Sequence, residues 1–315
     1  MITTVTLNAA IDKTYYLPSF PLGRVSRVHR MYAEPGGKGI NVARVISLLG
    51  YPVTATGFLG GHNGDWIRTT LDRQGIAHDF AAIEGESRLC LNMIDESNGV
   101  STEVLEPGPV VSEQAMEQLA ATVERLAARS QIVCFSGSLP GGVPVSYYAE
   151  LIGIVKKAGA IAFLDTSGEA LRSGVKGNPY FIKPNEDEIV QLLGAAFDAD
   201  SSAAKQSLQE QLAKLHEQGI PAVSVSLGAQ GSLCSFEGSV YRAVAPRIDA
   251  VNTVGCGDAY VAGMAIGTAR ELPALERIAY ATAVGTANAL TDKAGYVKSG
   301  DVQRLLGEVA VERLN

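Results

Sequence analysis

The sequence predicts an α/β fold of three layers, in which a mostly parallel central sheet lies between helices and a small second sheet is attached. Apolar runs of about five residues alternate along the chain with helix-forming runs of about 10 to 17 residues. This alternation is typical of a parallel sheet that is covered on both faces. Residues 13–32 and 77–106 interrupt the alternation and are rich in β-forming residues and turn signals, which predicts the second sheet.

The elements of the main layers follow in order from the N-terminus. Each predicted strand is a short apolar run, and most are followed by a run of helical character, so right-handed crossovers are expected. The predicted strands are 4–7, 53–60, 132–136, 161–165, 180–183, 222–227 and 231–236, and the predicted helices are 41–49, 65–74, 113–129, 145–158, 186–193, 202–218, 260–269 and 273–290.

The interrupting stretches predict a small sheet that stands off the main layers. Residues 77–106 have two turn signals, Glu84 to Glu86 and the Asn98-Gly99 pair, and Asn-Gly between β-like runs is a strong hairpin signal. We therefore expect three short strands there, joined by the segment 12–34. A sheet with one open apolar face needs a partner for that face, so a homodimer through this sheet is expected.

Composition is that of a globular enzyme. The 315 residues are 46% apolar and 19% charged, and we expect a single domain, 1–315, into which the small sheet is inserted. A net charge of −7 argues against a nucleic-acid surface or a basic membrane patch. The sequence contains neither a basic leader nor a long apolar span, so a cytoplasmic location is expected.

The four cysteines do not predict a metal or disulfide framework. Cys90, Cys134, Cys234 and Cys256 lie far apart and form no C-x-x-C pair. Three of them lie in apolar runs, where buried free thiols are expected.

Polar and glycine residues follow several predicted strands at their carboxyl ends. In open α/β sheets, this is the edge at which ligands bind. The residues that follow strands in this way are Asn8 to Asp12, Ser136 to Ser138, Asn185 with Glu188, and Gly228. We therefore expect the functional site along this edge.

A glycine turn near the C-terminus predicts an anion site. Gly255, Cys256 and Gly257 precede Asp258 and an apolar helix-forming run. Glycines let the backbone approach a ligand closely, and the free N–H groups of a helix N-terminus attract anions. A carboxylate at the mouth of such a site suits a base that takes a proton from a hydroxyl attacking a phosphoryl group. The alternative is that Asp258 only caps the helix.

A second glycine turn near the N-terminus has the same form. Gly36, Gly37 and Gly39 surround Lys38, which supplies positive charge for a phosphate, and Asn41 can both donate and accept hydrogen bonds. The two turns together resemble the two signature motifs of the ribokinase/PfkB family of carbohydrate kinases, and the resemblance extends from residue 6 to about residue 297. It implies a ribokinase-like fold, ATP as phosphoryl donor, and a small-sheet lid that closes over the sugar and often forms the dimer contact.

On the sugar side, the resemblance implies that Asp12, Gly37 and Asn41 bind the sugar. The family pattern around the carboxylate usually reads Asn-Pro-Ala-x-Asp, and Ala9 departs from it. In the family's sugar-phosphate kinases an Arg of the lid and the Lys of the first signature hold the substrate phosphate, and Arg88 and Lys38 match those positions. Arg27 is a further candidate, with Arg24 and Arg30 as substitutes, although an Arg there could simply solvate a strand edge.

On the nucleotide side, Asn185 and Glu188 resemble the Asn-x-x-Glu motif that organises water around the Mg²⁺ bound to ATP, with no direct metal ligand. The same spacing is also a capping box, and both interpretations can hold together. There is no G-x-x-x-x-G-K-[ST] P-loop. The residues expected to bind ATP are Lys183, Asn185, Glu188, Ser226, Gly228, Gly231 and, beside the adenine, Asn288.

The resemblance implies a single in-line phosphoryl transfer. Asp258 would deprotonate the sugar hydroxyl, and the amides of Gly255, Cys256 and Gly257 would stabilise the developing negative charge. The family usually has Ala or Ser where this chain has Cys256. Because a thiol at a helix N-terminus often has a lowered pKa, we expect one here.

Lys38 together with Arg88 indicates a substrate that is already phosphorylated. This resembles the family branch that contains 1-phosphofructokinase and tagatose-6-phosphate kinase, and we expect fructose 1-phosphate to be converted to fructose 1,6-bisphosphate. Tagatose 6-phosphate, giving tagatose 1,6-bisphosphate, is the alternative, because a few hydroxyl contacts decide between such sugars. A non-catalytic sugar-phosphate sensor is an alternative of another class, but a sensor has no need of Asp258.

Overall fold

A ten-stranded sheet forms the centre of the computed structural model, which describes residues 1–194, 212–236 and 238–314. Its strand order is β14-β13-β12-β11-β10-β9-β8-β1-β4-β5. Pairing is parallel from β5 to β11 and antiparallel from β11 to β14. The strands are β1 Ile2–Thr6, β4 Val53–Leu59, β5 Ala77–Ala82, β8 Ile132–Ser136, β9 Ile161–Asp165, β10 Phe181–Ile182, β11 Ala222–Ser226, β12 Ser232–Phe236, β13 Ser239–Val244 and β14 Ala310–Arg313.

Helices cover both faces of this sheet, which confirms the predicted three layers. Successive residues of β8 point to opposite faces, so Ile132 and Cys134 belong to one apolar core and Val133 and Phe135 to the other. The predicted helix 202–218 lies partly outside the described residues, and residues 212–217 are helical. The helices are α1 Lys38–Leu48, α2 Gly61–Arg73, α3 Glu113–Ala127, α4 Tyr147–Lys157, α5 Gly168–Gly174, α6 Glu186–Leu193, α7 Cys256–Ala269, α8 Ala274–Ala289 and α9 Ser299–Leu306.

A four-stranded sheet, here called the small sheet, lies apart from the large one in the order β3-β2-β6-β7. One prediction about it is wrong, since residues 77–82 form β5 at the edge of the large sheet and not a strand of the small one. The reason is that β4, α2 and β5 form a crossover unit, with β5 parallel to β4. The strands of the small sheet are β2 Ala10–Leu17, β3 Arg30–Gly36, β6 Arg88–Asp95 and β7 Val100–Leu105.

Three helices begin earlier than the sequence predicts: α2 begins at Gly61 instead of residue 65, and the other two shifts concern the site. Helix α1 begins at Lys38 instead of residue 41, and α7 begins at Cys256 instead of residue 260. Asn41 and Asp258 therefore lie in the first turns of packed helices, where their side chains have defined directions. Strands β13 and β14 and helices α5 and α9 were not predicted. In the described part of the chain, no helix combines the length and apolar character needed to cross a membrane.

Candidate active site

Two glycine turns open helices α1 and α7 at the carboxyl edge of the large sheet. The residues that precede the helices, Gly37 and Gly255, have φ angles of 91° and 84°, and neither helix has a side-chain cap. A Cβ atom at Gly37 would lie 2.7 Å from the side chain of Thr6, and one at Gly255 would lie 2.7 Å from the amide of Gly295. Both turns therefore require glycine, for conformation and for space.

Asp258 lies in the first turn of α7 and is only 6% exposed. The side-chain amide of Asn41, on α1, donates to its Oδ2 atom at 2.9 Å. Burial raises the pKa of Asp258 to about 6, while Lys38, the Asn41 hydrogen bond and Lys183 act in the opposite direction. The carboxylate is thus ionised at neutral pH but basic enough to accept a proton, as a general base requires.

Asp165 bridges two lysines beside this carboxylate, and the sequence analysis missed it. It is the last residue of β9 and is buried, with Lys183 Nζ 3.3 Å from Oδ1 and Lys38 Nζ 3.6 Å from Oδ2. Burial alone would raise the pKa of Asp165, but the two lysines outweigh it and lower the pKa. A carboxylate that ends an apolar strand at the ligand edge was the signal available in the sequence.

Lys38 lies at the centre of the site. Asp165 raises its pKa despite partial burial, and Asp258 and Glu188 contribute in the same direction. The ammonium group therefore remains charged between the base and the residues of the nucleotide side. The sequence analysis paired Lys38 with Arg88. The hydrogen bonds of Arg88 go to the carbonyls of Asn8 and Glu106.

Asp12 and Arg88, which the sequence analysis assigned to the sugar, lie close enough for Arg88 to act on the Asp12 carboxylate. The Asp12 carboxylate packs on Gly36, where even a Cβ atom would overlap it. Burial raises the pKa of Asp12, whereas Arg44, Arg88 and hydrogen bonds from Gly37 and Cys90 lower it. The Arg88 guanidinium donates from Nε to the carbonyl of Asn8 at 3.2 Å and from Nη1 to that of Glu106 at 3.1 Å. These bonds fix its plane, and Nη2 makes no hydrogen bond to the described residues.

The predicted lid arginines are not drawn into this cluster. Arg27 is exposed in the connection between β2 and β3, and so is Arg24. Arg30 stacks on the ring of Tyr16, 3.7 Å from its centroid. Of the predicted arginines, Arg88 is the only one that acts on Asp12 among the residues that the structure describes.

A cavity of 560 Å³ lies on the other side of Asp258 and contains most of the predicted nucleotide residues. Its walls are mainly apolar or small, and α8 contributes Gly285, Thr286 and Ala289. Such a slot suits a flat base and a ribose. The predicted residues that line it are Lys183, Ser226, Gly228, Gly231, Cys256 and Gly257.

Asn288 was predicted to border the adenine, but its contacts are those of a scaffold. It is fully buried, donates to the carbonyl of Val254 at 2.9 Å and accepts from the amides of Gly295 at 2.8 Å and Tyr296 at 3.2 Å. It thereby joins the turn before α7 to the loop that packs on Gly255. The sequence could not reveal this, because both partners are distant backbone segments.

Asn185 and Glu188 form the capping box that the sequence allowed. The Asn185 Oδ1 atom accepts from the Glu188 amide, and Glu188 Oε2 accepts from the Asn185 amide, both at 2.8 Å. Glu188 also raises the pKa of Lys38, so its carboxylate lies close enough to act on that ammonium group. No group of three or more His, Cys, Asp or Glu side chains among the described residues could hold a metal by itself.

Cys256 differs from its prediction. Burial raises the pKa of its thiol, with a smaller opposing effect from the Asn288 amide, so the expected lowering at the helix N-terminus is wrong. Its backbone N–H donates to the carbonyl of Thr253 at 3.3 Å and is engaged within the turn. Of the four cysteines, Cys134 and Cys234 are buried as expected, and Cys90 and Cys256 are partly exposed, so one of the three thiols expected to be buried is not.

The chain is similar in sequence and fold to several proteins of known structure. Escherichia coli phosphofructokinase-2, solved in complex with potassium, is 28% identical over 98% of each chain, with a TM-score of 0.90. A Thermotoga maritima protein named as a possible 1-phosphofructokinase is 28% identical over the full length of both chains, with a TM-score of 0.87.

A Staphylococcus aureus protein named as a candidate phosphofructokinase is 31% identical over 100% of this chain and 99% of its own, with a TM-score of 0.84. Residues 5–298 match the family described as pfkB family carbohydrate kinase, and this range contains both glycine turns, Asp165 and the nucleotide cavity. The chain is a carbohydrate kinase of the PfkB family.

Proposed function

We propose that this kinase transfers the γ-phosphoryl group of ATP to a ketohexose phosphate, and that fructose 1-phosphate is converted to fructose 1,6-bisphosphate. The observation that carries the proposal is the position of Asp258. This buried carboxylate, with a pKa of about 6, is held by Asn41 on the helix of the first glycine turn and directly follows Gly257, which lines a cavity suited to a nucleotide. A base at that junction can act on a hydroxyl as it attacks a phosphoryl group.

In the proposed reaction, Asp258 accepts the proton of the sugar hydroxyl. Lys38 and the amides of the turn at Gly255 and Gly257 stabilise the negative charge on the transferred group. The charged state of Lys38 beside Asp165 and Asp258 supports this role, and Lys38 can also contact the substrate's existing phosphate, to which the sequence analysis assigned it. That phosphate is assigned to Arg88, because a guanidinium can bind phosphate through two N–H groups.

Asp12, Gly37 and Asn41 are assigned to the sugar hydroxyls. Two oxygens of a buried carboxylate can accept from neighbouring hydroxyls of one sugar. Arg27 is the first candidate among the arginines of the exposed β2–β3 connection. These arginines would contact the substrate phosphate if the connection closes over the bound sugar.

The nucleotide is assigned to the 560 Å³ cavity. Lys183, Ser226, Gly228 and Gly231 line the part of it near α7, which favours them for the phosphates and ribose. Mg²⁺ prefers oxygen ligands and retains waters. The donors present fit that preference, since the carboxylates of Glu188 and Asp165 both act on Lys38 and supply oxygen ligands beside it. Mg²⁺ held through water near Asn185 and Glu188 would neutralise phosphate charge.

A homodimer through the small sheet is also part of the proposal. Met31, Val100, Val104 and Leu105 are between 50% and 59% exposed on its strands, and Leu22 in the β2–β3 connection is 90% exposed. Such apolar exposure usually marks an interface. Sedimentation equilibrium should therefore give twice the mass of 33.0 kDa, and a monomer at micromolar concentration would contradict this part.

The substrate is tested by measuring ADP release in a coupled assay with four acceptors in parallel. These are fructose 1-phosphate, tagatose 6-phosphate, fructose 6-phosphate and free fructose; the E. coli relative was solved in complex with fructose-6-phosphate. We expect the highest kcat/KM with fructose 1-phosphate. Preference for another phosphorylated ketose would keep the site and change the substrate, while ATP binding without turnover on any acceptor would support the sensor alternative.

A further inference from the structure

Arg44 is a buried cation that the proposed reaction leaves unused. It lies on α1, one turn after Asn41, and is only 2% exposed. Among the described residues, no carboxylate comes within ion-pair distance of its guanidinium. A charge without an ion-pair partner is costly to bury, so the N–H groups of this guanidinium need hydrogen-bond acceptors.

All the hydrogen-bond acceptors of Arg44 are neutral oxygens. Nη1 donates to Asn41 Oδ1 at 2.9 Å and to the carbonyl of Ala294 at 3.3 Å. Nη2 donates to the carbonyl of Pro35, and Nε donates to Gln74 Oε1 at 3.4 Å. The guanidinium therefore ties α1 to the end of β3, to α2 and to the loop after α8.

The bond to Asn41 decides which way the Asn41 amide faces. A guanidinium can only donate, so it must face the amide oxygen. The amide nitrogen then points to the opposite side, where it donates to Asp258 Oδ2 at 2.9 Å. In a flipped amide, two donors would face each other at Arg44 and two oxygens would face each other at Asp258.

We infer that Arg44 is a positioning residue for the base, because it locks the Asn41 amide so that one oxygen of Asp258 is held and the other remains free for the proton. The inference deepens the proposed function and rests on it for the identity of the base. Arg44 also binds the carbonyl of Ala294, next to Gly295, whose backbone packs on Gly255. One buried side chain thus holds the base and the loop behind the anion turn.

The groups that face Asp258 belong to several elements. Of these, only the Asn41 amide is oriented by Arg44. Lys38 on α1, Lys183 after β10 and the Asn41 amide favour the ionised carboxylate, whereas burial and Asp165 on β9 oppose it. The guanidinium of Arg44 and the thiol of Cys256 are its other ionisable neighbours. Releasing the Asn41 amide should therefore raise the pKa of Asp258, and the acid limb of kcat/KM should move to higher pH.

The test uses Arg44→Lys, which keeps the charge but not the fork of donors. We expect the carboxyl titration of Asp258, followed by ¹³C NMR, to rise by about one pH unit, the effect of losing one hydrogen bond to the charged form. The matched control is Arg277→Lys, another arginine that donates to a carbonyl and a tyrosine, on α8. It should lower the Tm without moving that titration.

Kinetics supply the second arm. Arg44→Lys should lower kcat by about 10- to 100-fold, as misplaced catalytic groups do, with the KM for ATP unchanged. In an Asn41→Ala background the same substitution should have no further effect on kcat. An unchanged Asp258 titration in Arg44→Lys, or full additivity with Asn41→Ala, would overturn the inference. The titration requires no acceptor sugar, so a wrong substrate assignment and a wrong role for Arg44 give different results.

Discussion

The two glycine turns have the same backbone form and opposite chemistry. Gly37 and Gly255 both precede a helix with positive φ and no side-chain cap. The first helix begins with a cation, Lys38, and the second has a carboxylate, Asp258, in its first turn. A helix N-terminus favours anions, so its dipole should disfavour Lys38 and stabilise ionised Asp258.

Both charges are controlled from outside their own helix, and this is what the comparison teaches. Lys38 is held by Asp165 on β9, which raises its pKa. Asp258 is buried enough to have a raised pKa despite the helix dipole, and Asn41 from the other turn's helix holds it. The two units therefore form one site, and in the proposed reaction Lys38 binds an anion while Asp258 accepts a proton.

The largest effect expected from breaking either turn comes from Gly255→Ala. A Cβ atom there meets the Gly295 amide at 2.7 Å and φ is 84°, so the amides before Asp258 must move. We expect kcat to fall by about 10²–10³-fold, as for lost oxyanion donors, and the unfolding free energy to fall by about 1–3 kcal/mol. Gly37→Ala should behave alike.

The control for both turns is Gly50→Ala, which has φ of 74° but open space around the added methyl group. It should reduce the stability to denaturant without reducing kcat. Equal losses of kcat in Gly50→Ala and Gly255→Ala would mean that the turn geometry has no special role in turnover.

The next effect concerns the cation of the first turn. Lys38→Met removes the strongest influence that lowers the pKa of Asp258. We expect kcat/KM to fall by about 10²-fold and its acid limb to lie at higher pH than in the wild type. The substrate phosphate titrates identically with both proteins, so the difference reports the enzyme. An acid limb that stays at the wild-type pH would show that Lys38 does not influence the pKa of Asp258. Exposed Lys157→Met is the control and should leave the pH profile unchanged.

A smaller effect is expected on stability. The pKa of Asp258 is raised from 3.8 to about 6 in the folded protein, so the unfolding free energy falls as the pH rises from about 4 to 6, and the loss is complete above that range. Asp258→Asn should therefore raise the unfolding free energy at pH 8 by at most about 3 kcal/mol, and this gain should disappear by pH 4. Exposed Asp249→Asn is the control. A variant less stable than wild type at pH 8 would contradict the assigned burial cost.

The smallest effect is expected at Cys256. Burial raises the pKa of its thiol, and its amide, not its side chain, belongs to the turn. Cys256→Ala should keep kcat within about threefold of wild type, and the wild-type thiol should react slowly with iodoacetamide at pH 7. Fast alkylation that ATP prevents would show that the thiol is activated after all.

Local patterns predicted the layers, the small sheet and both turns, because alternation and glycine turns are visible in short windows of sequence. The strand Ala77–Ala82 was wrongly assigned to the small sheet. It pairs with β4 through a crossover, and this pairing is not visible in the residues next to it in the sequence. Asp165, Arg44 and the scaffold role of Asn288 depend on contacts between segments far apart in the chain. Burial, which the sequence does not report, also reversed the expected direction for the pKa of Cys256.

The most direct test of the central claim is the turnover of Asp258→Asn with ATP and fructose 1-phosphate, measured beside its ATP affinity. The amide keeps the size and one acceptor for the Asn41 hydrogen bond but cannot take a proton. We expect kcat to fall by about 10²–10⁴-fold, as for a lost general base, while the Kd for ATP stays unchanged. Turnover near that of wild type would show that Asp258 is not the base on which this site is built.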